Sequence, residues 1–260
     1  MNSKIEPINN IFSGLSVIII LNIVIIYIKM KTEKSEQIKK MFGEIAKKYD
    51  TANNILSFGR HRSWKKYFIK QLEPTPGNTI LDVATGTGDL AFAFANALKH
   101  DCSITGVDFS EEMIEVAKSR NSFDCIEFKI GDATKLELPA EAFDYVTITF
   151  GIRNIPEIEK AIAEMTRVLK SGGKLGIMEF GTPDAGFYGV YKFYARHIIP
   201  EIGKILTKHP DAYTYLPQTS LEFPYGKRFV EIMQTSPELK NINFTKLQFG
   251  VVYIYIAEKG

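Results

Sequence analysis

Leu81-Asp82-Val83-Ala84-Thr85-Gly86-Thr87-Gly88-Asp89-Leu90 decides the fold of this 260-residue chain. An apolar run from Thr79 to Val83 enters the stretch, small residues fill its centre, and a helix-like segment from Leu90 to Leu98 follows. This order predicts a strand, a tight loop and a helix N-terminus. Glycine lets a backbone approach a ligand closely, and the first turn of a helix offers unpaired N–H groups. We therefore expect a ligand to bind at this loop.

The spacing of the small residues separates this loop from two common nucleotide loops. Ala84, Gly86 and Gly88 alternate more tightly than the dinucleotide fingerprint G-x-G-x-x-G, and no G-x-x-x-x-G-K-[ST] phosphate loop is present at this site. The tighter form resembles the first motif of Rossmann-like methyltransferases that use S-adenosylmethionine (SAM). That resemblance implies a loop shaped for an amino acid and a ribose. An NAD-dependent dehydrogenase is a weaker alternative, and a purely structural turn is another.

Acidic residues follow the next apolar runs at matching places. Asp108 ends the run Ile104–Val107, and Asp132 follows the run Ile126–Ile130. In open α/β sheets ligands bind beyond the carboxyl ends of the strands, where an acid after the second strand can hold a ribose diol. Apolar runs alternate with helix-like stretches, which predicts an α/β fold with a mostly parallel sheet and helices on both faces. We expect seven strands, with an antiparallel strand from a last hairpin at about 239–258.

The bulk properties narrow the class of protein. A chain of 260 residues can bury one substantial core, so we expect one catalytic domain with additions. The net charge is +2 and no basic stripe is interleaved with aromatic residues, which argues against a nucleic-acid partner. Cys102 and Cys125 are not in metal-binding spacing, so we interpret them as thiols of the core or a strand edge in a reducing compartment.

The first thirty residues differ from the rest. Ile11 to Ile28 is an uncharged run of eighteen residues, long enough for a transmembrane helix. Lysines concentrate on its carboxyl side, which would keep the following domain in the cytoplasm. A cleaved signal peptide fits poorly, whereas a misplaced start codon fits as well as a true anchor, because Met30 begins a polar segment. We assign residues 1–30 to an apolar N-terminal segment and residues 31–260 to the catalytic domain.

A long insertion, about 181–240, separates the fifth strand from the last hairpin. It is rich in Tyr and Phe, with Lys, Arg and His interleaved. An apolar face opposite basic residues is typical of helices at a membrane surface, and an ordinary lid packed on the sheet would share this composition. We expect a helical segment that covers the substrate.

Longer strings extend the resemblance beyond the loop. FGEIAKKYDTANNILSFGRHRSWK (42–65), FGIRN (150–154), EFGTP (179–183) and DAYTYL (211–216) are similar to strings of the ubiquinone/menaquinone biosynthesis C-methyltransferases. The similarity covers about residues 38–258, and the apolar N-terminus departs from the family. It implies methyl transfer from SAM to a ring carbon of a prenylated quinol, either demethylmenaquinol or the methoxylated ubiquinol precursor, with a lean towards the first.

The resemblance also implies roles for single residues. The contacts to SAM would come from Thr87, Asp108, Asp132, Ala133 and Thr149. The loop would be shaped by Asp82, Gly86 and Gly88. Arg153 and Asn154 of the FGIRN string would lie nearest the acceptor.

The chemistry of ring methylation suggests the catalytic groups. A methyl group on a sulfonium is already activated, so we expect no metal. The ring carbon becomes a good nucleophile once a neighbouring hydroxyl, which titrates at about 10 like tyrosine, loses its proton. We expect Arg153 to stabilise the phenolate, because arginine keeps its own proton. Asp50 or His197 would accept the proton, and the structural alternatives are a helix cap for Asp50 and a surface position for His197.

Two other functions stay open. The chain could methylate another lipid or small molecule, which FGIRN and DAYTYL disfavour. It could also be a non-catalytic SAM-binding assembly protein, which the intact loop and acids disfavour. The sequence does not give the choice of quinol, the tail length or the oligomeric state. We expect a cytoplasmic enzyme that is peripheral at, or anchored to, the inner membrane.

Overall fold

A computed structural model of the chain describes residues 36–202 and 219–260. The contacts within the chain define two units, Met1–Ile38 and Lys39–Gly260, and the sheet belongs to the second. The predicted apolar segment at residues 1–30 and the DAYTYL string at residues 211–216 lie outside the described residues. What we expect of them stays a prediction.

Seven strands form one sheet in the order β3-β2-β1-β4-β5-β7-β6. β1 to β5 pair in parallel, whereas β7 runs antiparallel to both β5 and β6. The strands are β1 (Thr79–Val83), β2 (Ser103–Asp108), β3 (Ile126–Ile130), β4 (Phe143–Thr149), β5 (Leu169–Phe180), β6 (Leu239–Leu247) and β7 (Val252–Lys259). The predicted seven-stranded, mostly parallel sheet with an antiparallel hairpin is confirmed.

Helices cover both faces of this sheet. The main helices are α1 (residues 36–45), α2 (Tyr49–Leu56), α3 (Arg60–Leu72), α4 (Asp89–Ala97), α5 (Glu111–Arg120), α6 (Ile158–Val168), α7 (Ala185–Phe193) and α8 (Lys227–Met233). Successive side chains of a strand point to opposite faces. Accordingly, Ile80 of β1 joins a core cluster with α3, α4 and α5, and Leu81 joins a second cluster with α6 and α8.

The strand order reverses between β1 and β4, which places the ligand site. In doubly wound sheets the crevice at such a reversal lies beyond the carboxyl ends of the strands. The glycine-rich loop follows β1, and Arg153 follows β4 by way of the 3₁₀ turn Ile152–Asn154. Ser110 begins α5 as a cap, because its hydroxyl accepts a bond from the Met113 N–H at 3.3 Å. The chain therefore turns sharply after Asp108 and leaves that acid at the same edge.

Two helical parts of the predicted insertion at 181–240 pack against different regions of the protein. α7 and the π-helical turn Tyr194–Ile198 lie on the cavity described below. α8, in contrast, packs on α6 and β6 with Phe229 and Met233 fully buried in the core. α8 therefore shields one face of the sheet, and the covering of the substrate by the insertion at 181–240 stays a prediction. Residues 203–218 of the insertion lie outside the described residues.

Across residues 36–202 and 219–260, no helix has both the length and the apolar composition needed to cross a membrane.

Candidate functional site

Asp82 at the end of β1 holds the glycine-rich loop from below. Its carboxylate is buried and accepts bonds from Thr85 Oγ1 at 2.6 Å and from Thr147 Oγ1 at 3.1 Å. Burial raises the pKa of Asp82 to about 6, although the two hydrogen bonds act in the opposite direction and lower the pKa. Asp82 therefore shapes the loop by joining it to the neighbouring strand β4, and it does not line the cavity.

Asp108 at the end of β2 holds the loop from the side. Its Oδ2 accepts the Gly86 N–H at 2.8 Å, and its Oδ1 accepts the Ser110 N–H at 2.9 Å. Burial raises the pKa of Asp108, and the backbone N–H groups partly offset this. Each carboxylate oxygen can accept a further bond. The position next to Gly86 therefore suits an acid that also binds a hydroxyl-bearing ligand.

Gly86 leaves room for a ligand beside the loop. Its φ is +58°, and a Cβ at this residue would meet no atom within 4 Å. Gly86, Thr87 and Thr149 line the adjoining cavity, whereas Gly88, with φ +85°, ends the loop at the start of α4. This open, side-chain-free approach fits SAM, which brings a ribose diol and an amino-acid group to such a loop. Asp108 is buried beside Gly86 and does not itself line the cavity.

Asp132 and Ala133 lie further along the same edge. Asp132 is exposed just beyond β3, where its Oδ1 accepts bonds from the N–H and the hydroxyl of Thr134 at 2.7 and 2.8 Å. In the register of β2 and β3, Asp108 stands opposite Ile130, two residues before Asp132. Neither Asp132 nor Ala133 lines the cavity itself. Their contact with the adenine of SAM stays a prediction.

A cavity of about 530 Å³ opens at this edge of the sheet. Its walls come from α1 to α3, the glycine-rich loop, the ends of β4 and β5, α7 with its π-helical turn, and the turn between β6 and β7. Most of the lining is apolar and includes Phe42, Ile45, Leu56, Trp64, Phe150, Phe180, Phe187, Val190, Phe249 and Val251. The volume is within the usual range for small-molecule sites, about 300–1,000 Å³.

Arg153 supplies a buried cation to this apolar space. Its side chain is 3% exposed and pairs with Glu179, which is 0% exposed, with 2.6 Å between Nη1 and Oε1. The guanidinium also lies 5.4 Å from the centroid of the Phe180 ring. Arg153 Nε is buried and has no hydrogen-bond partner among the residues that the structure describes. A buried cation at the wall of an apolar cavity suits a ligand with an anionic oxygen.

Asp50, on α2, connects this helix to the glycine-rich loop through a charged network. Thr87 Oγ1 donates to Asp50 Oδ1 at 2.6 Å, and Arg120 donates to Asp50 Oδ2. Arg120 also donates to the Thr87 carbonyl at 2.9 Å and to Asp89 at 3.0 Å, and Lys65 donates to Asp89 at 3.0 Å. Burial and the nearby Asp89 raise the pKa of Asp50, while Thr87 and Arg120 lower it. Asp50 lines the cavity as a partly buried carboxylate.

The structure separates His197 from these groups. The imidazole is exposed on the turn Tyr194–Ile198, rests on the Phe193 ring with centroids 5.0 Å apart, and does not line the cavity. The helical turn directs Ala195 and Ile199 inward instead. This placement agrees with the surface position given as the alternative for His197, and its role as proton acceptor stays a prediction. The histidine that lines the cavity is His61, whose Nδ1 lies 2.8 Å from Ser57 Oγ and whose pKa is lowered by burial.

The sequence does not indicate several of the site residues. Tyr49 and Tyr191 line the cavity, and burial raises the pKa of both phenols while the charge of Arg153 lowers it. Tyr49 stands at helical spacing in an apolar stripe, which indicates a core contact and nothing more. Glu179 lies inside a strand, where no neighbouring residue in the sequence indicates which residue its carboxylate pairs with. Distant parts of the chain supply the missing partners, so only the tertiary structure identifies them.

Comparison with known proteins decides the family. The sequence pattern of the ubiE/COQ5 methyltransferase family matches residues 30–259. The chain belongs to this family. It is 40% identical over 233 residues to the ubiquinone/menaquinone biosynthesis C-methyltransferase UbiE of Geotalea daltonii, with 88% of this chain and 98% of that protein covered. It is 38% identical over 232 residues to the demethylmenaquinone methyltransferase of Bacteroides fragilis, covering 87% and 94%.

Solved structures share the fold at lower identity. A SAM-dependent methyltransferase of Thermotoga maritima aligns with a TM-score of 0.61 and 18% identity over 85% of this chain and 99% of that chain. Phosphoethanolamine N-methyltransferase 2 of Haemonchus contortus, in complex with SAM, aligns with a TM-score of 0.56 and 17% identity over 76% and 52%. The predicted Rossmann-like fold is confirmed. With the family match, so are the enzyme class and the methyl donor: this family member is a SAM-dependent C-methyltransferase. The residue roles stay predictions.

Proposed function

We propose that this enzyme transfers the methyl group of SAM to a ring carbon of a prenylated quinol, either demethylmenaquinol or the methoxylated ubiquinol precursor. One observation carries the proposal. The glycine-rich loop, a buried arginine with an unused donor and a mainly apolar wall share one cavity of about 530 Å³. A quinol offers a flat apolar ring and a hydroxyl that becomes anionic, which matches the wall and the arginine. The named relatives support the same class of acceptor.

The donor would be held by Thr87, Asp108, Asp132, Ala133 and Thr149, at the loop that Asp82, Gly86 and Gly88 shape. When bound there, SAM supplies a methyl group on a positively charged sulfur. With a quinol bound, α1 to α3, α7 and the aromatic lining of the cavity would exclude water from this space. In the overall reaction the S–CH₃ bond of SAM breaks, a C–CH₃ bond replaces one ring C–H bond, and S-adenosylhomocysteine and the ring proton are released.

Arg153 and Asp50 would prepare the acceptor. A quinol hydroxyl beside the Arg153 guanidinium has a lowered pKa, because a fixed cation in an apolar cavity favours the phenolate. The Asp50 carboxylate accepts the proton, and burial helps by raising its pKa above that of an ordinary aspartate. His197 is left out of this mechanism because it does not face the cavity. Asp50→Asn should lower kcat by about tenfold or more, with SAM affinity measured alongside.

The test of the reaction is methyl transfer from labelled SAM by the full chain. Demethylmenaquinol and the ubiquinol precursor are offered side by side under reducing conditions, with and without Arg153→Ala. Label in one quinone, lost in the variant, supports the proposal and identifies the acceptor. Label in neither, with SAM binding intact, contradicts it and favours another small-molecule acceptor or a non-catalytic role.

We further propose that the prenyl tail leaves the cavity at an apolar rim that touches the membrane. Phe58, Val190 and Phe249 line the cavity and yet are 77%, 62% and 67% exposed. Lys192 is exposed on α7, the helix that carries Val190, and a basic residue of this kind would suit contact with anionic lipid. The enzyme would then work at the cytoplasmic face of the inner membrane.

Liposome flotation tests this contact. Phe58→Ser combined with Phe249→Ser should release the protein from anionic liposomes. Ile130→Ser, at the carboxyl end of β3, removes an apolar side chain that is 57% exposed and does not line the cavity, and it should leave binding unchanged. Equal binding by both variants would contradict the rim contact and leave the methyl transfer untouched.

A further inference from the structure

Glu179 is a buried carboxylate with no part in the mechanism above. It lies near the end of β5, and its side chain is fully enclosed. Oε1 accepts bonds from Arg153 Nη1 at 2.6 Å and from the Phe180 N–H at 2.8 Å, and Oε2 accepts the Arg153 N–H at 3.4 Å. One side chain therefore holds both the backbone and the guanidinium of Arg153 against the neighbouring strand.

These contacts hold one end of the guanidinium of Arg153, which lines the cavity. Nη1 is already shared between Glu179 and the Phe150 carbonyl, and Nε has no partner among the described residues. Because the guanidinium is planar, fixing Nη1 while the group rests on the Phe180 ring also fixes the direction of its Nε–H bond. Without Glu179, the cation could swing towards the backbone carbonyl or the solvent.

We infer that Glu179 is a positioning residue that orients the Arg153 guanidinium towards the quinol oxygen and moderates its positive charge. The inference rests on the proposed function. Burial raises the pKa of Glu179, while Arg153 and the two backbone N–H groups lower it. Arg153 also acts on Tyr49 of α2 and Tyr191 of α7, where its charge lowers pKa values that burial raises. Both are phenols with raised pKa values, so Glu179 is the anion that balances Arg153.

Two substitutions separate charge from geometry. Glu179→Gln removes the charge and keeps the length, so Arg153 acts more strongly on the quinol hydroxyl. The acid limb of the kcat–pH profile should move to lower pH by about one unit. Glu179→Asp keeps the charge and shortens the reach, so the limb stays in place and kcat falls by about tenfold or more, with little change in SAM affinity.

Glu164→Gln is the matched control. Glu164 pairs with Arg167 on α6, and neither residue lines the cavity. It should leave kcat and the pH profile unchanged.

A merely structural role for Glu179 would lower SAM affinity and folded yield in both variants without moving the acid limb, and this result would overturn the inference. The inference would also be overturned if Glu179→Gln kept the acid limb of the wild type and both variants kept kcat within about threefold of wild type. If Glu179→Gln does not fold, Glu179→Asp carries the test, and kcat within about threefold of wild type overturns the inference. Failure of the proposed function itself is distinct, because then the wild-type enzyme methylates neither quinol.

Discussion

Replacing Asp82 with asparagine should change how stability depends on pH. Asp82 is buried beneath the loop, and burial raises its pKa from the ordinary 3.8 to about 6. Because the folded chain favours the protonated form, the contribution of Asp82 to stability is fully present below pH 3.8 and is lost as the pH rises through about 6. Asparagine does not titrate and keeps a carbonyl for the Thr85 hydroxyl.

The size of the effect follows from the two pKa values. They differ by about two pH units, and each unit corresponds to about 1.4 kcal/mol. Relative to the Asp82→Asn variant, the wild-type free energy of unfolding should therefore fall by about 3 kcal/mol in total, of which about 2.5 kcal/mol falls between about pH 4 and about pH 7.5. The full value applies because Asp82 is deeply buried and solvent does not screen it.

Urea unfolding followed by far-UV circular dichroism at several pH values measures this difference. Asp144→Asn is the control, because Lys170 and Thr79 lower the pKa of Asp144 and its contribution to stability has the opposite sign. The wild type should gain stability relative to that variant as the pH rises through the lowered pKa. Parallel stability curves for wild type and Asp82→Asn would refute the reasoning.

Three further predictions concern the cavity. Gly86→Ala and Gly172→Ala each place a Cβ at a positive φ, +58° and +76°, where no other atom lies within 4 Å. Each substitution should therefore cost about 1 kcal/mol of stability. Only Gly86→Ala should weaken SAM binding, by about tenfold or more in calorimetry. Arg153→Ala should lower kcat by about 10²–10³-fold with SAM affinity unchanged, and activity within a few-fold of wild type would exclude the phenolate role. His197→Ala should keep kcat within about twofold of wild type in steady-state assays. His61→Ala opens the cavity wall and should raise the KM for the quinol. The reverse pattern would favour His197 as a residue of the site.

Much of the sheet could be predicted from sequence because its elements carry local signals. The apolar run Thr79–Val83 became β1 with the same bounds, and Ser110 followed by two glutamates marked the start of α5. The acid after β2 and the loop after β1 then met at one edge, where the Gly86 N–H bonds to Asp108. Strand order in such sheets follows from chain direction and handedness, so these contacts needed no long-range information.

The cavity walls could not be predicted in this way. Phe249 sits in a hairpin turn and joins the site only because β7 lies beside β5. Arg120 ends a surface helix, and nothing near it in sequence indicates Asp50 or the Thr87 carbonyl as partners. α8 looked like part of a lid because its aromatic and basic residues resemble those of α7, yet α8 covers the sheet.

The Arg153–Glu179 pair is better explained by function than by stability. Enclosing both charges costs several kcal/mol of solvation, and apolar residues of similar volume are often as stable or more so. The unpaired Nε adds a penalty of about 1–3 kcal/mol. The aromatic surroundings of Phe150 and Phe180 could pack against a methionine or leucine without that cost. A stable core alone therefore gives no reason for this arrangement, whereas a quinol oxygen that becomes anionic during the reaction would complete it.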